Sequence, residues 1–204
     1  MHAAIGFRVH SGWAALTVVA LDEGLPRVLW RERPRLVETF TFEFRQPYHT
    51  AERATIEEAR EIVLRARGEA ARLAREAIGK VEAGVQAQGY ELRCCGLLLA
   101  SGKPLPSLER ILASHALIHT ADGELFRDAL LEASADCGLV TFTLKESELF
   151  ATASRELGPH PEEIQRRVAG LGSVLGPPWA QDEKRATLVA WLALVRENVN
   201  AAAN

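Results

Sequence analysis

The segment His115-Ala116-Leu117-Ile118-His119-Thr120-Ala121-Asp122-Gly123-Glu124 carries two histidines, an aspartate and a glutamate within ten residues. Histidines four apart project from one face of a helix and can share a zinc ion. With Asp122 added, His115, His119 and Asp122 form a candidate metal set, and a divalent metal is the cofactor such a set would take. The metalloprotease pattern needs a glutamate directly after the first histidine, and Ala116 stands there. A second reading makes Thr120 or Asp122 a helix N-cap, with Glu124 in the first turn where the helix dipole favours an acid. That reading starts the helix near residue 121 and leaves both histidines ahead of it.

Histidine titrates near neutrality and serves in general acid–base work or anion binding. His10, His49, His115, His119, Glu124 and Arg8 would form one such cluster if the loops fold over a common sheet edge. His119, Glu124 and His10 are its catalytic candidates. Nucleophilic triads find no support: no Gly-x-Ser-x-Gly occurs, and Cys94-Cys95 lies in an apolar run.

The second group with chemical potential is basic. Arg31, Arg33 and Arg35 alternate along one strand, with Arg27 in phase and Arg45 beyond. Beside Trp30 and Tyr48 such a ribbon could contact a phosphate backbone or stack a base. The alternative is edge protection, in which charge keeps a strand from pairing with another chain. Ser101-Gly102-Lys103 follows a buried strand and could cradle a phosphate, although it lacks the glycine loop of a P-loop. Arg8, Arg31, Arg33, Arg35 and Lys103 are therefore the binding candidates. The net charge of −3 gives no global pull toward nucleic acid or membranes, so any such site is a local patch.

These side chains need a scaffold. With 204 residues, 48% of them hydrophobic and 25% charged, the chain suits one globular domain spanning 1–204. Residues 3–10 alternate, 13–21 are continuously apolar, and Asp22-Glu23-Gly24 signals a turn into a third strand over 27–37. Pro34 cannot donate to a ladder, which assigns that strand to an edge. Residues 38–49 read as irregular. A helical stripe runs from about 51 to 88, with kinks expected at Gly68 or Gly79, and Gly89 stops it. Leu92 to Ala100 suits a strand buried on both faces. Helices follow over 107–114 and 121–137, then a strand over 140–144. A helical part over about 146–204 closes the chain, with helices at 146–157, 161–171 and 181–198. The fold class is thus α/β, with order β-β-β-α-β-α-β-α and a mixed sheet covered by helices on both faces. In the last helix, Trp191 with Leu188, Leu192 and Val195 reads as a buried stripe or as a homodimer contact.

This order, with the phrase Gly6-Phe7-Arg8-Val9-His10-Ser11-Gly12, resembles the RNase H-like superfamily in its resolvase-like form over residues 3 to 198. The resemblance implies a nucleic-acid partner and acids on the first strand, at the end of the fourth strand and on the last helix, which in nuclease members hold divalent metals. The matching positions here are Arg8, Ser101 and Asp182 or Glu183, so two of three are not acids. A weaker resemblance links the chain to the central domain of eukaryotic-type peptide release factors and implies a ribonucleoprotein partner. The loop that carries Gly-Gly-Gln in that family corresponds to Phe44-Arg45-Gln46-Pro47-Tyr48-His49-Thr50, which has no glycine pair.

The expected function is a non-catalytic or degenerate domain that binds nucleic acid or a nucleoprotein. The alternative is a metal-assisted nuclease or phosphodiesterase with a histidine-rich site. The cysteine usage points to a reducing cytoplasm, and no apolar stretch is long enough to cross a bilayer.

Overall fold

The chain opens with two tight hairpins. β1 (His2–His10) and β2 (Trp13–Asp22) pair antiparallel from Ala3↔Ala20 to His10↔Trp13, closed by Gly12 at φ 81°. β2 then pairs with β3 (Leu25–Glu32) through Glu23 and Gly24, both at positive φ as a two-residue primed turn requires. The third strand stops five residues short of the expected end. Pro34 breaks the ladder as a donor, and beyond it only the isolated bridge Trp13↔Arg35 persists. In the computed structural model, which describes residues 1–100 and 104–203, the sheet order is β3-β2-β1-β4-β5. β4 (Glu91–Leu99) and β5 (Val140–Lys145) run parallel to β1, so β3 is an edge strand and β4 an interior one, as expected.

Two short helices, α1 (Phe42–Arg45) and α2 (Pro47–Ala51), occupy the stretch read as irregular. α3 (Ile56–Gln86) begins at a capping box in which the Thr55 hydroxyl accepts from the Glu58 N–H while Glu58 reaches back to Thr55. It runs as a single helix through Gly68 and Gly79. α4 (Leu108–Leu112) is followed by α5 (His115–Asp136), which starts six residues ahead of the expected boundary. After β5 come α6 (Leu149–Leu157), α7 (Pro161–Leu175) and α8 (Gln181–Ala203).

Strand alternation divides the core into two layers. Ile5, Phe7, Val9, Leu16, Val18, Cys95 and Leu97 face α3 and α5, where Val63, Ile78, Val81, Ile118, Phe126 and Leu130 close the larger layer. Ala4, Val19, Cys94 and Leu98 face α8, whose Leu188, Val189 and Trp191 build the second layer with α6 and α7. Leu188, Trp191 and Leu192 are thus buried against the sheet, with Val195 packed beside them, in agreement with the buried-stripe reading. Gly6 and Gly96 let α8 approach closely: a Cβ on Gly6 would stand 2.0 Å from the Ala186 carbonyl oxygen, and one on Gly96 2.4 Å from that of Val189.

Cys94 and Cys95 sit on opposite faces of β4, and burial pushes both thiols up to about 12. A thiolate is the reactive form, so at pH 8 neither thiol is expected to react with Ellman's reagent until urea unfolds the chain. Fast stoichiometric labelling of both in the native protein would contradict this packing. No helix among the described residues is long and apolar enough to cross a membrane.

Candidate functional site

The carboxyl end of β1, the segment after β3 and the first turns of α5 and α8 bring the chemically capable side chains into three groups. They do not form the single cluster read from the sequence.

The first group lies between β1 and α8. Alternation puts Arg8 and His10 on the α8 face, opposite Phe7 and Val9. Arg8 Nε lies 3.4 Å from Asp182 Oδ1, and its Nη2 lies 3.4 Å from Glu146 Oε1. Glu146 also takes the Arg185 guanidinium. Arg8 Nη1 stands 2.9 and 2.6 Å from the two ring nitrogens of His10, whose Nε2 is 3.1 Å from Asp182 Oδ2. Burial, and then the Arg8 cation, hold the His10 imidazole below its ordinary value against the pull of Asp182. A neutral ring fits these contacts, with one nitrogen accepting from Arg8 and the other donating to Asp182. Asp182 therefore stands beside the first strand as the resemblance implies. Arg8 fills the place of the missing acid and neutralises the acids around it. A pair of divalent cations needs carboxylates there, and a part-buried guanidinium among them would repel the ions. These residues do not fit a two-metal centre. Ser101 and Lys103, the fourth-strand candidates, lie outside the described residues.

The second group is on the opposite side of the sheet, between α2 and α5. Because α5 starts at His115, His115 and His119 are one helical turn apart on one face, and their Nε2 atoms are 3.1 Å apart. His49 of α2 joins them, with ring centroids 5.3 Å from His115 and 4.4 Å from His119. One nitrogen from each of the three rings lies within 4.8 Å of the others. Asp122 is one turn further along α5 and is buried. Its Oδ1 accepts the Tyr48 N–H at 2.8 Å, and its Oδ2 lies 2.5 Å from His49 Nδ1. Burial pushes the Asp122 carboxyl up, while the His49 and Tyr48 hydrogen bonds oppose it. Asp122 is thus no N-cap, and its oxygens are turned to His49 and Tyr48. His49 takes the third place in the cluster.

Glu124, a catalytic candidate in the sequence, is held apart from both groups. It is mostly buried, pairs with Arg127 at 3.4 Å, and burial raises its carboxyl despite that cation. His119, Glu124 and His10 therefore belong to three different environments.

The third group is basic and aromatic. The expected ribbon of Arg31, Arg33 and Arg35 does not form, because the end of α7, the segment after it and the first turn of α8 supply acceptors to two of its members. Arg31 donates to the carbonyl oxygens of Gly176 and Pro178 at 2.7 and 2.6 Å and to those of Leu175 and Pro177 at 3.3 Å. Arg33 Nε donates to Glu183 at 2.5 Å, and the Glu183 side chain is fully buried. What remains at the surface is a patch of different composition. The Arg35 and Arg45 guanidiniums lie 5.1 and 4.9 Å from the Phe40 ring, and Arg33 lies 5.2 Å from the Trp13 ring. Trp13 in turn stacks on His10 at 4.2 Å. Phe40, Phe42 and Phe44 are exposed nearby. Trp13 and the Phe-x-Phe-x-Phe spacing of residues 40–44 are the signal of this patch in the sequence, one that the strand arginines alone do not carry.

No protein-family model matches the chain, and no curated protein matches it. Among solved structures the chain is similar to T. thermophilus RuvC in complex with a Holliday junction substrate, at 12% identity and a TM-score of 0.56 over 97% of this chain and 96% of that one. A Thermus thermophilus RuvC structure matches with the same identity and coverage at a TM-score of 0.54. The chain has the RNase H-like fold.

Proposed function

We propose that this chain is a nucleic-acid-binding domain on an RNase H-like scaffold that does not use the two-metal hydrolysis of the fold's nuclease members. The observation that carries the reading is the replacement of the first-strand acid by Arg8, whose guanidinium satisfies Asp182 and Glu146. The binding surface is the patch of Trp13, Arg35, Phe40 and Arg45. Guanidiniums held against the Phe40 and Trp13 rings present free edges to phosphates, and the exposed Phe42 and Phe44 rings beside them offer surface on which a base can stack. Arg33 is a supporting residue in this reading, since its Nε is committed to Glu183. The solved relative holds a Holliday junction, so branched DNA is the first probe, followed by single-stranded DNA and RNA. Three unpaired cysteines, two of them buried, accord with a cytoplasmic setting.

Fluorescence anisotropy across a salt series tests this. Binding is expected to weaken as salt rises, with a slope set by the phosphates contacted. Phe40→Ala and Arg35→Ala are each expected to weaken it about tenfold, the loss of roughly one stacking or phosphate contact. Absence of binding to all three probes at low salt would sink the proposal. Magnesium-dependent cleavage that survives Asp182→Asn would place catalysis elsewhere on the chain and favour the metal-assisted nuclease instead.

A further inference from the structure

The three-histidine group belongs to neither the Arg8 network nor the aromatic patch, and its geometry asks for a ligand. We infer that His49, His115 and His119 form a mononuclear binding site for a borderline divalent ion of the zinc type, with Asp122 orienting His49 from behind. This inference stands independently of nucleic-acid binding.

The ligand type comes first. Three neutral imidazoles with no sulfur or carboxylate donor suit zinc and its neighbours rather than magnesium or calcium, which take oxygen ligands. Spacing agrees. Nitrogens about 2.0–2.1 Å from a tetrahedral ion lie about 3.3 Å from one another. The His115 and His119 Nε2 atoms are 3.1 Å apart, and the His49 ring comes to meet them. Without an ion, two lone pairs face each other at that distance unless a proton sits between them. A shared cation resolves the contact for all three rings.

The support behind the cluster is the second observation. Metal-bound histidine usually donates its other ring N–H to a carboxylate, which fixes the tautomer and raises ligand basicity. His49 Nδ1 is 2.5 Å from Asp122, whose side chain is only 3% exposed. This leaves His49 Nε2 as the nitrogen with a free lone pair. The Tyr48 N–H fixes the other Asp122 oxygen, so the carboxylate is held from two directions. A buried aspartate serving only as an acceptor for Tyr48 would need no imidazole partner.

The third observation concerns access. His115 and His119 are exposed, whereas His49 is mostly covered and packs against the Phe42 ring at 6.0 Å. With two of its three rings exposed, the site is open to solvent on their side. A four-coordinate ion here would carry one exchangeable water, the open type of zinc site rather than the closed structural type.

Cobalt(II) titration of the purified, chelator-treated chain tests the inference. The expected result is one equivalent bound per chain, with the intense visible absorption of four-coordinate cobalt and loss of that absorption on adding one equivalent of zinc. His115→Gln and His119→Gln lie at the surface and are expected to fold and to lose the absorption. Asp122→Asn is expected to keep the coordination but weaken affinity 10- to 100-fold. Two results would overturn the site: weak, six-coordinate cobalt absorption, or zinc affinity equal in the parent chain and in a His115→Gln/His119→Gln double variant.

Discussion

Gly6→Ala is expected to lower stability by about 3 kcal/mol or more, and Gly96→Ala by a similar amount. The cause is the line along which α8 lies on the sheet. An added Cβ at Gly6 would sit 2.0 Å from the Ala186 carbonyl oxygen and 2.8 Å from the Ala190 Cβ. At Gly96 it would meet the Val189 carbonyl oxygen at 2.4 Å. The nearest obstacle in each case is a backbone carbonyl, so no change of rotamer relieves it, and α8 must lift from the sheet. Lifting would expose the layer built from Ala4, Val19, Leu98, Leu188 and Trp191. Urea unfolding checks this: the midpoint should fall while the slope stays near that of the parent chain. Gly68→Ala is the matched control, because it lies inside α3 with open space around it. That change should raise stability by about 0.5–1 kcal/mol through helix propensity alone. A Gly6→Ala midpoint equal to that of the parent would mean that α8 does not rest on β1 as described.

The second large effect is expected from Arg33→Ala, at about 2–3 kcal/mol. Glu183 has no exposed side-chain surface and is satisfied by Arg33 Nε at 2.5 Å and the Ala180 N–H at 2.9 Å. Removing the guanidinium leaves a buried carboxylate with backbone donors alone. Burial alone would raise the Glu183 carboxyl, but the Arg33 hydrogen bond and backbone N–H groups hold it below its ordinary 4.5. A carboxyl lowered by folding stabilises the protein fully above its unfolded-state value, and this contribution fades as pH falls through the folded-state value. The penalty of Arg33→Ala should therefore be full at pH 7 and shrink as the pH falls below 4.5. A pH-independent difference between the two chains would remove Glu183 as its cause. Because this arginine supports the fold, its loss would also lower nucleic-acid binding indirectly, which is why Arg35 and Phe40 are the better probes of that surface.

How much of this was readable depends on the signal each element carries. The first strand follows from period-two alternation, the second from a continuous apolar run ended by Asp22-Glu23-Gly24, and the edge position of the third from Pro34. The start of α5 does not. Ser114 caps it without a side-chain hydrogen bond, while Thr120, Asp122 and Glu124 imitate a helix start further along. That false boundary separated His115 and His119 from the helix that aligns them. His49 rides on a helix of five residues, too short for any periodicity to register. Alternation does place Arg8 and His10 on one face of β1. Nothing in the sequence says that α8 covers that face and α5 the other, so the histidines seemed able to meet. The arginines of the third strand were conspicuous, but the carbonyls and buried acid that bind them come from more than 140 residues away.

The placement of α8 across β1 also bears on how the chain comes into being. During synthesis at about 5–20 residues per second, the segment that completes the second layer emerges roughly 10 to 40 seconds after the strand it covers. Through that interval the hairpins of β1, β2 and β3 can form locally, and α3 and α5 can cover one side. The other side keeps an open apolar face, with the groove cut by Gly6 and Gly96 vacant. The newborn chain is thus committed early to its sheet and late to its solubility. Nascent-chain complexes stalled ahead of residue 181 should be the species that chaperones and proteases find.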